Sequence, residues 1–532
     1  MDGFSLSTLD MAIIIGCPAL VIIVGLWASR YQEKTAKGYF LAGGKLPWYI
    51  IGAAFVSTSV SSEQIVGTVG ATYEHGMAIA NWEWFGLAYI PLIIFFIPMY
   101  LKNKITTVPD FLNKRFSPAC SNVYSWIMLV AYVFIFMVPV FYSGALAFSS
   151  LLGCNFYLVV WLTVIIISLY TLKGGLGSVM WADALQCLML VGGGVILFFV
   201  LLDKIPGGWA AMQQARPERF HLYKPPTDKI APFLGLVVAS FGVFLFYQAA
   251  NQVMIQRVLG ARSRWDGIMG IIFAGFINRL RPLVTCFIGV IVFHWIHEMH
   301  MAEPLANKDL TFSFAMSEMA PAWGIRGIVL AGFLAAVMST LGALSNSTAT
   351  IFAMDVYKKV INKDASDIRM VWVGRTAAFT ALVLAAATCP IVGQLGGIFQ
   401  YFQKGVTFLA TPFISVMLMG IFWQRTNRQG ALFGMVVGVI MSMGIGFSAP
   451  AMGITMHWLY VGFFVQIITM VGIAVVSLMT PAPDPEQAKP FRWRMSMLTG
   501  YDDGVKRPWY QSLLLWFCLL YLVVGVTYWY FW

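Results

Sequence analysis

Residues 47–72 read PWYIIGAAFVSTSVSSEQIVGTVGAT, and this stretch decides the fold. It is long and apolar enough for a membrane helix, which needs about 20 mainly apolar residues. Its centre, residues 57–64, nevertheless holds hydroxyls, a carboxylate and an amide. Such side chains are costly at membrane depth, and hydroxyls can replace backbone partners where a helix unwinds. The stretch therefore predicts an interrupted membrane helix, with hydrogen bonding between intact helices as the alternative.

The rest of the chain has the composition of a membrane protein. Of its 532 residues, 59% are hydrophobic and 11% are charged, whereas a soluble protein carries about a quarter charged residues. We predict an all-α, polytopic fold in which residues 1–531 form a single transmembrane domain. Its 14 transmembrane helices are expected at 9–29, 47–72, 77–101, 121–151, 155–172, 177–202, 232–256, 267–297, 323–356, 371–391, 396–423, 429–449, 455–479 and 511–531.

The basic residues predict the orientation of these helices. Most of the 34 Lys and Arg residues fall in alternate connections between the spans, among them Arg257, Arg262 and Arg264. Cytoplasmic loops carry such an excess, so both termini are expected outside the cytoplasm, in the plasma membrane or the bacterial inner membrane. Topology thus explains the net charge of +11. We expect contact with membrane lipid, no nucleic-acid partner and no obligate protein partner.

A second polar cluster lies in the ninth predicted span. The sequence there runs Ala336-Val337-Met338-Ser339-Thr340, and helical spacing places Ala336, Ser339 and Thr340 on one face. A carbonyl with two hydroxyls is an uncharged oxygen site, which suits a monovalent ion better than a divalent one. Packing of small residues between helices is the alternative.

Isolated polar residues form a third set, namely Glu83, Asp183, Asn278, Arg279, Arg281 and Gln403. An aspartate at the centre of a membrane helix costs about 2.5–3.5 kcal/mol, so Asp183 is expected to face the bundle interior, unless it lies at the membrane interface. Arg279 and Arg281 point to different faces of a helix, and we expect one of them to pair with a carboxylate. No phosphate-binding loop or nucleophile motif is present. We therefore expect no enzymatic activity and an energy source other than ATP.

Ordered motifs along the chain resemble those of the solute:sodium symporter family, in its sodium/glucose cotransporter branch. The two signature-like stretches are residues 169–178, YTLKGGLGS preceded by Leu169, and residues 422–434, which begin Phe422-Trp423-Gln424-Arg425. Further matches are residues 38–44, Ser62-Glu63-Gln64, Trp82-Glu83-Trp84, Asn251-Gln252, Gln256-Arg257, Asn346-Ser347-Thr348 and Met354-Asp355. Each motif alone is weak, whereas the ordered set covers almost the whole chain and is specific.

The resemblance implies a LeuT-like core of two inverted five-helix repeats. Residues 47–202 would form the first repeat, residues 232–449 the second, and residues 455–532 additional C-terminal helices. It also implies sodium ligands at the carbonyls of Ser57, Val60 and Ala336 and at the hydroxyls of Ser339 and Thr340, with Asp183 near a possible second sodium.

The same resemblance implies where the solute binds. The contacting positions fall on Ser59, Glu63, Gln64, Glu83, Asn278 and Gln403, with Tyr247 as an aromatic gate. Two positions depart from the family. A sugar-contacting lysine of the relatives aligns with Asn278, and an asparagine aligns with Phe244, which weakens the inference to glucose or galactose.

We therefore expect a secondary transporter that couples inward sodium movement to uptake of a small neutral polyol, a hexose or inositol, by alternating access. The alternatives are a sodium symporter of an amino acid or carboxylate, which Arg279 or Arg281 in the cavity would favour, and a sodium-permeable channel.

Overall fold

The computed structural model describes residues 5–30, 35–84, 86–394, 398–448, 453, 456–495, 497, 505 and 507–532. Within these ranges the secondary structure is helical, and the strand-like pairing is one isolated bridge between Leu46 and Ala261. An apolar chain in lipid must satisfy its backbone internally, and helices do so within one segment.

Ten helices in the described part of the chain are long and apolar enough to cross a membrane. They are Thr8–Ser29, Met77–Lys102, Pro118–Leu152, Gly174–Asp203, Ile325–Ile361, Asp367–Val392, Phe402–Phe422, Arg428–Gly446, Trp458–Met479 and Leu513–Phe531. A pair bent by 45°, Phe233–Ala239 and Val243–Ala250, makes an eleventh.

The remaining predicted spans fall on shorter apolar helices, Trp48–Ser59, Phe156–Leu172 and Cys286–His297. Trp48–Ser59 ends at the break at Val60, Phe156–Leu172 ends at the kink at Gly175, and Cys286–His297 begins at the break at Thr285, so each is shorter than a full span. The total of 14 stays a prediction, and the predicted spans 396–423, 429–449 and 455–479 each begin or end outside the described residues.

The helix predicted over residues 47–72 is interrupted in its middle. Helix Trp48–Ser59 ends where Val60 takes an extended conformation, with φ −108° and ψ 99°, and helix Ser62–His75 follows. The amide of Val60 bonds back to the carbonyl of Val56, whereas the amides of Gln64 and Ile65 bond to Ser61. We call these two segments together the broken helix.

The predicted spans 155–172 and 177–202 correspond to two helical segments, Phe156–Leu172 and Gly174–Asp203, which meet at a kink. The backbone leaves the helical conformation at Gly175, where φ is 57° and ψ is −160°. We call these two segments together the kinked helix, Phe156–Asp203. A Cβ atom at Gly175 would overlap the carbonyl oxygen and ring of Tyr39. Glycine is required here for both the backbone angle and the close approach.

The prediction of one continuous helix over residues 267–297 is wrong, because the structure breaks it twice. The structure has three helices there, Arg264–Ile277, Arg281–Val284 and Cys286–His297, separated at residues 278–280 and at Thr285. Pro282 lacks the amide that would continue the hydrogen-bond ladder. Because the helix stops at Ile277 and a new one starts at Arg281, the directions of the Asn278 and Arg281 side chains are not those of one continuous helix.

The long helix, Ile325–Ile361, runs through the centre of the bundle. In its most apolar window 89% of the residues are buried, compared with 6% in Leu513–Phe531 at the periphery. The second polar cluster therefore lies at the core, where the long helix packs against both the broken and the kinked helix.

Two glycines of the kinked helix test the role of its bend. Gly175→Ala should lower stability by about 1–3 kcal/mol, because alanine is strained at a positive φ and its methyl group overlaps Tyr39. Gly192 has open space around its Cβ position and a regular helical backbone, so Gly192→Ala should leave stability unchanged or raise it by about 0.5–1 kcal/mol. Thermal unfolding of the purified protein measures both, and equal effects would contradict the assigned role of Gly175.

Candidate functional site

A cavity opens beside the break in the broken helix. The space between its walls, counted out to the open solvent at its mouth, is ≈ 700 Å³. Its walls come from both halves of the broken helix, the bent helix pair and the interrupted eighth span. The lining residues are Phe55, Ser59, Gln64, Trp82, Glu83, Tyr89, Val243, Phe244, Tyr247, Gln248, Met254, Asn278, Arg281, Phe402, Gln403 and Val406.

A buried pair of opposite charges lies in this wall. The Nε atom of Arg281 is 3.6 Å from Oε1 of Glu83, and both side chains are largely buried. Thr285 donates to the other carboxylate oxygen at 2.6 Å, and Arg281 also donates through Nη2 to the amide oxygen of Gln64. The expectation that one of the two arginines pairs with a carboxylate is confirmed, while Arg279 instead donates to the carbonyl of Trp84 at 2.7 Å.

Several polar atoms at the cavity have no hydrogen-bond partner within the described part of the chain. They are Oε1 of Glu83, Nε of Arg281, Oδ1 of Asn278 and Oε1 of Gln248. The separation of 3.6 Å between Glu83 and Arg281 exceeds the length of a hydrogen bond. Buried groups of this kind cost free energy unless they are paired, so these atoms are suited to a ligand that both donates and accepts hydrogen bonds.

Aromatic rings form another side of the cavity. Tyr247 stacks on Phe136, with ring centroids 6.4 Å apart and an interplanar angle of 27°, and Phe136 in turn meets Phe402 edge to face. Phe244, one of the two departures from the family pattern, lies in the same wall. The cavity therefore combines a flat apolar surface with the polar atoms of Glu83, Arg281 and Asn278.

The structure brings most of the predicted solute-contacting residues together. Those that line the cavity are Ser59, Gln64, Glu83, Tyr247, Asn278 and Gln403. Glu63 is buried but does not line it, and its Oε2 atom has no partner within the described residues. Asn278 donates to the hydroxyl of Tyr89, so the break at residues 278–280 holds its side chain at the cavity wall.

The predicted sodium ligands lie where the broken helix meets the long helix. Thr340 donates from Oγ1 to the carbonyl of Thr58 at 3.4 Å. Because the chain is extended at Val60, carbonyls in the last turn of helix Trp48–Ser59 lack the amides of a following turn. The predicted ligand residues Ser57, Val60, Ala336, Ser339 and Thr340 are all buried. Carbonyl and hydroxyl oxygens are a donor set that fits a monovalent cation.

Asp183 joins four parts of the fold. Its carboxylate accepts from Ser339 at 2.7 Å and from Thr58 at 3.3 Å, and it pairs with Nη2 of Arg257 at 2.8 Å. Arg257 also donates from Nε to the carbonyl of Ala54 at 3.3 Å. Both charged side chains are 1% exposed. Asp183 therefore faces the bundle interior, as expected.

Arg257 is the residue of this network that sequence reasoning missed. The pattern of basic residues predicts Arg257 in a cytoplasmic loop with Arg262 and Arg264, whereas the structure buries it in helix Gln252–Leu259. The available signal was its position directly after Gln256 in a family motif. Gln256 is itself buried and donates to the carbonyl of Phe40 at 2.7 Å and to Thr350 at 2.8 Å, so this motif has a structural role.

The model of the sodium:solute symporter family matches residues 39–438 of this chain. The chain belongs to the sodium:solute symporter family. The predicted resemblance is thereby confirmed, and so is sodium-coupled solute transport as the activity class. The family is one of transporters, which agrees with the expectation that the chain is not an enzyme.

Individual relatives span nearly the whole chain. The sodium/glucose cotransporter of Vibrio parahaemolyticus is 33% identical over 506 residues, covering 90% of this chain and 92% of the relative. The sodium/myo-inositol cotransporter 2 of Bos taurus is 28% identical and covers 95% of this chain and 82% of the relative. A solved Na⁺-coupled sialic acid symporter, 21% identical, superposes with a TM-score of 0.80 over 90% of this chain and 100% of that chain. This similarity confirms the predicted LeuT-like, all-α fold.

The Asp183–Arg257 pair can be tested by removing one charge and then both. Asp183→Asn leaves the guanidinium of Arg257 buried without a counter-charge, which should cost about 3–5 kcal/mol of stability. The double variant Asp183→Asn/Arg257→Gln contains no buried charge and should recover part of that loss in thermal unfolding.

Glu74 supplies a matched control, because its ion pair with Lys308 is roughly half exposed. Glu74→Gln should cost no more than about 1 kcal/mol. A single variant Asp183→Asn as stable as the wild type, or a double variant no more stable than the single one, would contradict the role of the pair.

Proposed function

We propose that this protein couples the inward movement of sodium to the uptake of a neutral polyol, a hexose sugar or inositol. The observation that carries the proposal is the cavity, whose lining residues include unpartnered donors and acceptors together with aromatic side chains. The glucose and myo-inositol cotransporters among the relatives support the same class of solute. A polyol leaving water needs a partner for each hydroxyl, and its C–H face needs an apolar surface.

In this proposal, each polar residue of the cavity makes a particular contact with the solute. A solute hydroxyl between Glu83 and Arg281 accepts from Nε of the guanidinium and donates to Oε1 of the carboxylate. Further hydroxyls donate to Oδ1 of Asn278 and contact Gln64, Gln403 and Ser59. Tyr247 covers the apolar face of the ring. Glu63 is buried and does not line the cavity, so in this proposal it does not contact the solute.

The presence of Arg281 does not give the cavity a preference for anionic solutes. A guanidinium alone would favour a carboxylate substrate, but Glu83 compensates its charge within the same wall. A carboxylate solute would have to displace Glu83 or lie against it. The pair therefore favours a neutral solute over the carboxylate alternative.

Sodium binds, in this proposal, to the carbonyls of Ser57, Val60 and Ala336 and to the hydroxyls of Ser339 and Thr340. The bond between Thr340 and the carbonyl of Thr58 supports this assignment, because it brings the long helix to the freed end of the broken helix. A second ion would bind beside Asp183. Its carboxylate already interacts with Arg257, Ser339 and Thr58, so that ion would have to share or displace these partners.

Coupling follows if both ligands stabilise the same conformation. Sodium would join the broken helix to the long helix, hence the first repeat, residues 47–202, to the second, residues 232–449. In the proposed orientation both termini lie outside the cytoplasm. Sodium moves into the cell down its gradient. One charge crossing about 100 mV gives about 2.3 kcal/mol, and a tenfold gradient adds about 1.4 kcal/mol. Together they sustain solute accumulation on the order of several hundredfold.

The proposal is tested by uptake into proteoliposomes that contain the purified protein. Labelled glucose, galactose, myo-inositol, proline and succinate are offered with an inward sodium gradient and with potassium in its place. We expect sodium-dependent accumulation of at least one polyol and none of proline or succinate. Sodium-independent uptake would contradict the coupling, and sodium-driven uptake confined to proline or succinate would contradict the solute class.

Two substitutions separate the ion site from the solute site. Ser339→Ala removes a proposed sodium ligand and should raise the sodium concentration for half-maximal uptake about tenfold, the effect of losing about 1.4 kcal/mol. Gln403→Ala should raise the KM for the solute at saturating sodium and leave the sodium dependence nearly unchanged.

Ser345 provides the control in the same helix, because its hydroxyl bonds to the carbonyl of Gly342 one turn earlier at 3.1 Å. Ser345→Ala should change neither constant. An unchanged sodium dependence in Ser339→Ala would remove Ser339 from the ion site, and an unchanged KM in Gln403→Ala would remove Gln403 from the solute site.

A further inference from the structure

A second, larger space lies on the outer face of the bundle, away from the candidate site. It is a groove bounded by helix Pro118–Leu152, by the π-helical end of the long helix, Ile351–Ile361, and by helix Asp367–Thr388. The unfilled space in it is ≈ 1530 Å³, about twice that of the candidate solute cavity.

The groove is apolar along most of its length. Its walls include Trp126, Phe134, Phe352, Trp372 and Leu384. The side chains of Trp126 and Trp372 are 53% and 61% exposed. Helix Pro118–Leu152 and the helix that begins at Asp367 are long and apolar enough to cross a membrane. Their exposed apolar side chains then meet lipid chains, so the occupant of the groove must present hydrocarbon.

One end of the groove is basic. Arg369 lies in the first turn of helix Asp367–Thr388, is exposed, and donates from Nε to the hydroxyl of Tyr357 at 3.4 Å. Both residues line the groove, and none of the described acidic residues forms an ion pair with Arg369. A guanidinium matches the geometry of a phosphate group, and the start of a helix adds positive potential.

The distance between the basic end and the far apolar wall fits a lipid. Arg369 and Leu384 are fifteen residues apart on one helix, which corresponds to about 22 Å. The hydrocarbon of one leaflet is about 15 Å thick, half of the bilayer core. A headgroup at Arg369 therefore leaves room for an acyl chain along the rest of the groove.

We propose that this groove is a binding site for an anionic phospholipid. The phosphate binds Arg369 and Tyr357, and an acyl chain lies against Phe352, Trp372 and Leu384. Such a lipid contacts helix Pro118–Leu152 of the first predicted repeat and two helices of the second, so it bridges the two repeats from the membrane side.

The purified full-length protein in detergent tests the proposal. Binding of phosphatidylglycerol and phosphatidylcholine with the same acyl chains is measured by native mass spectrometry and by the rise in unfolding temperature. The wild type should bind phosphatidylglycerol about fivefold more tightly, the effect of about 1 kcal/mol for one basic side chain. Arg369→Gln should abolish this preference. Arg428→Gln, an exposed arginine at the start of another helix, should retain it.

A second variant tests the groove itself. Thr380 lies in the groove and is exposed, so Thr380→Trp fills the space without entering the core and should reduce binding of both lipids. Equal binding of the two lipids by the wild type, or a preference retained in Arg369→Gln, would overturn the proposal. So would unchanged lipid binding in Thr380→Trp, or displacement of phosphatidylglycerol by equimolar oleate or cholesterol.

Discussion

The break at Val60 is the constraint on which the rest of the structure depends. A backbone carbonyl within a membrane must have a partner, and the chain gives up regular partners at a position that the bundle buries completely. Neighbouring elements answer this need. Thr340 donates to the carbonyl of Thr58, one of the carbonyls that the break leaves without an amide of a following turn. The long helix is thus held against the broken helix by a group that the interruption requires, while Arg257 of helix Gln252–Leu259 donates to the carbonyl of Ala54 within the first half.

Asp183 neutralises a charge that the same region of the bundle buries. A guanidinium as buried as that of Arg257 needs a counter-charge, and the kinked helix supplies it through Asp183. The bend at Gly175 lies eight residues earlier and brings the kinked helix against Tyr39. Asp183 therefore connects three elements. It pairs with Arg257, and it accepts hydrogen bonds from Thr58 beside the break and from Ser339 of the long helix.

The sequence predicted the fold well, because membrane spans and polar residues within them are strong local signals. It identified the interruption near Val60 from its hydroxyls, and six of the seven solute-site residues line one cavity. It did not predict the break at Asn278, since a proline in an apolar run bends some helices and interrupts others. It placed Arg257 in a loop because counting basic residues ignores which of them have buried partners. Glu63 and Gln64 are adjacent in sequence, and only the helical geometry decides which one lines the cavity.

The interruption of the broken helix also has a mechanical consequence. Its first half ends with the bond from Val60 to Val56, and its second half begins with bonds from Gln64 and Ile65 to Ser61. No backbone rung within the described residues crosses between them. Rotation at Val60 and Ser61 therefore changes the angle between the halves without breaking a helical hydrogen bond. The backbone geometry at Val60 therefore allows the two halves to change their angle at little cost in helical hydrogen bonds, and the predicted sodium ligands Ser57 and Val60 lie at this same position.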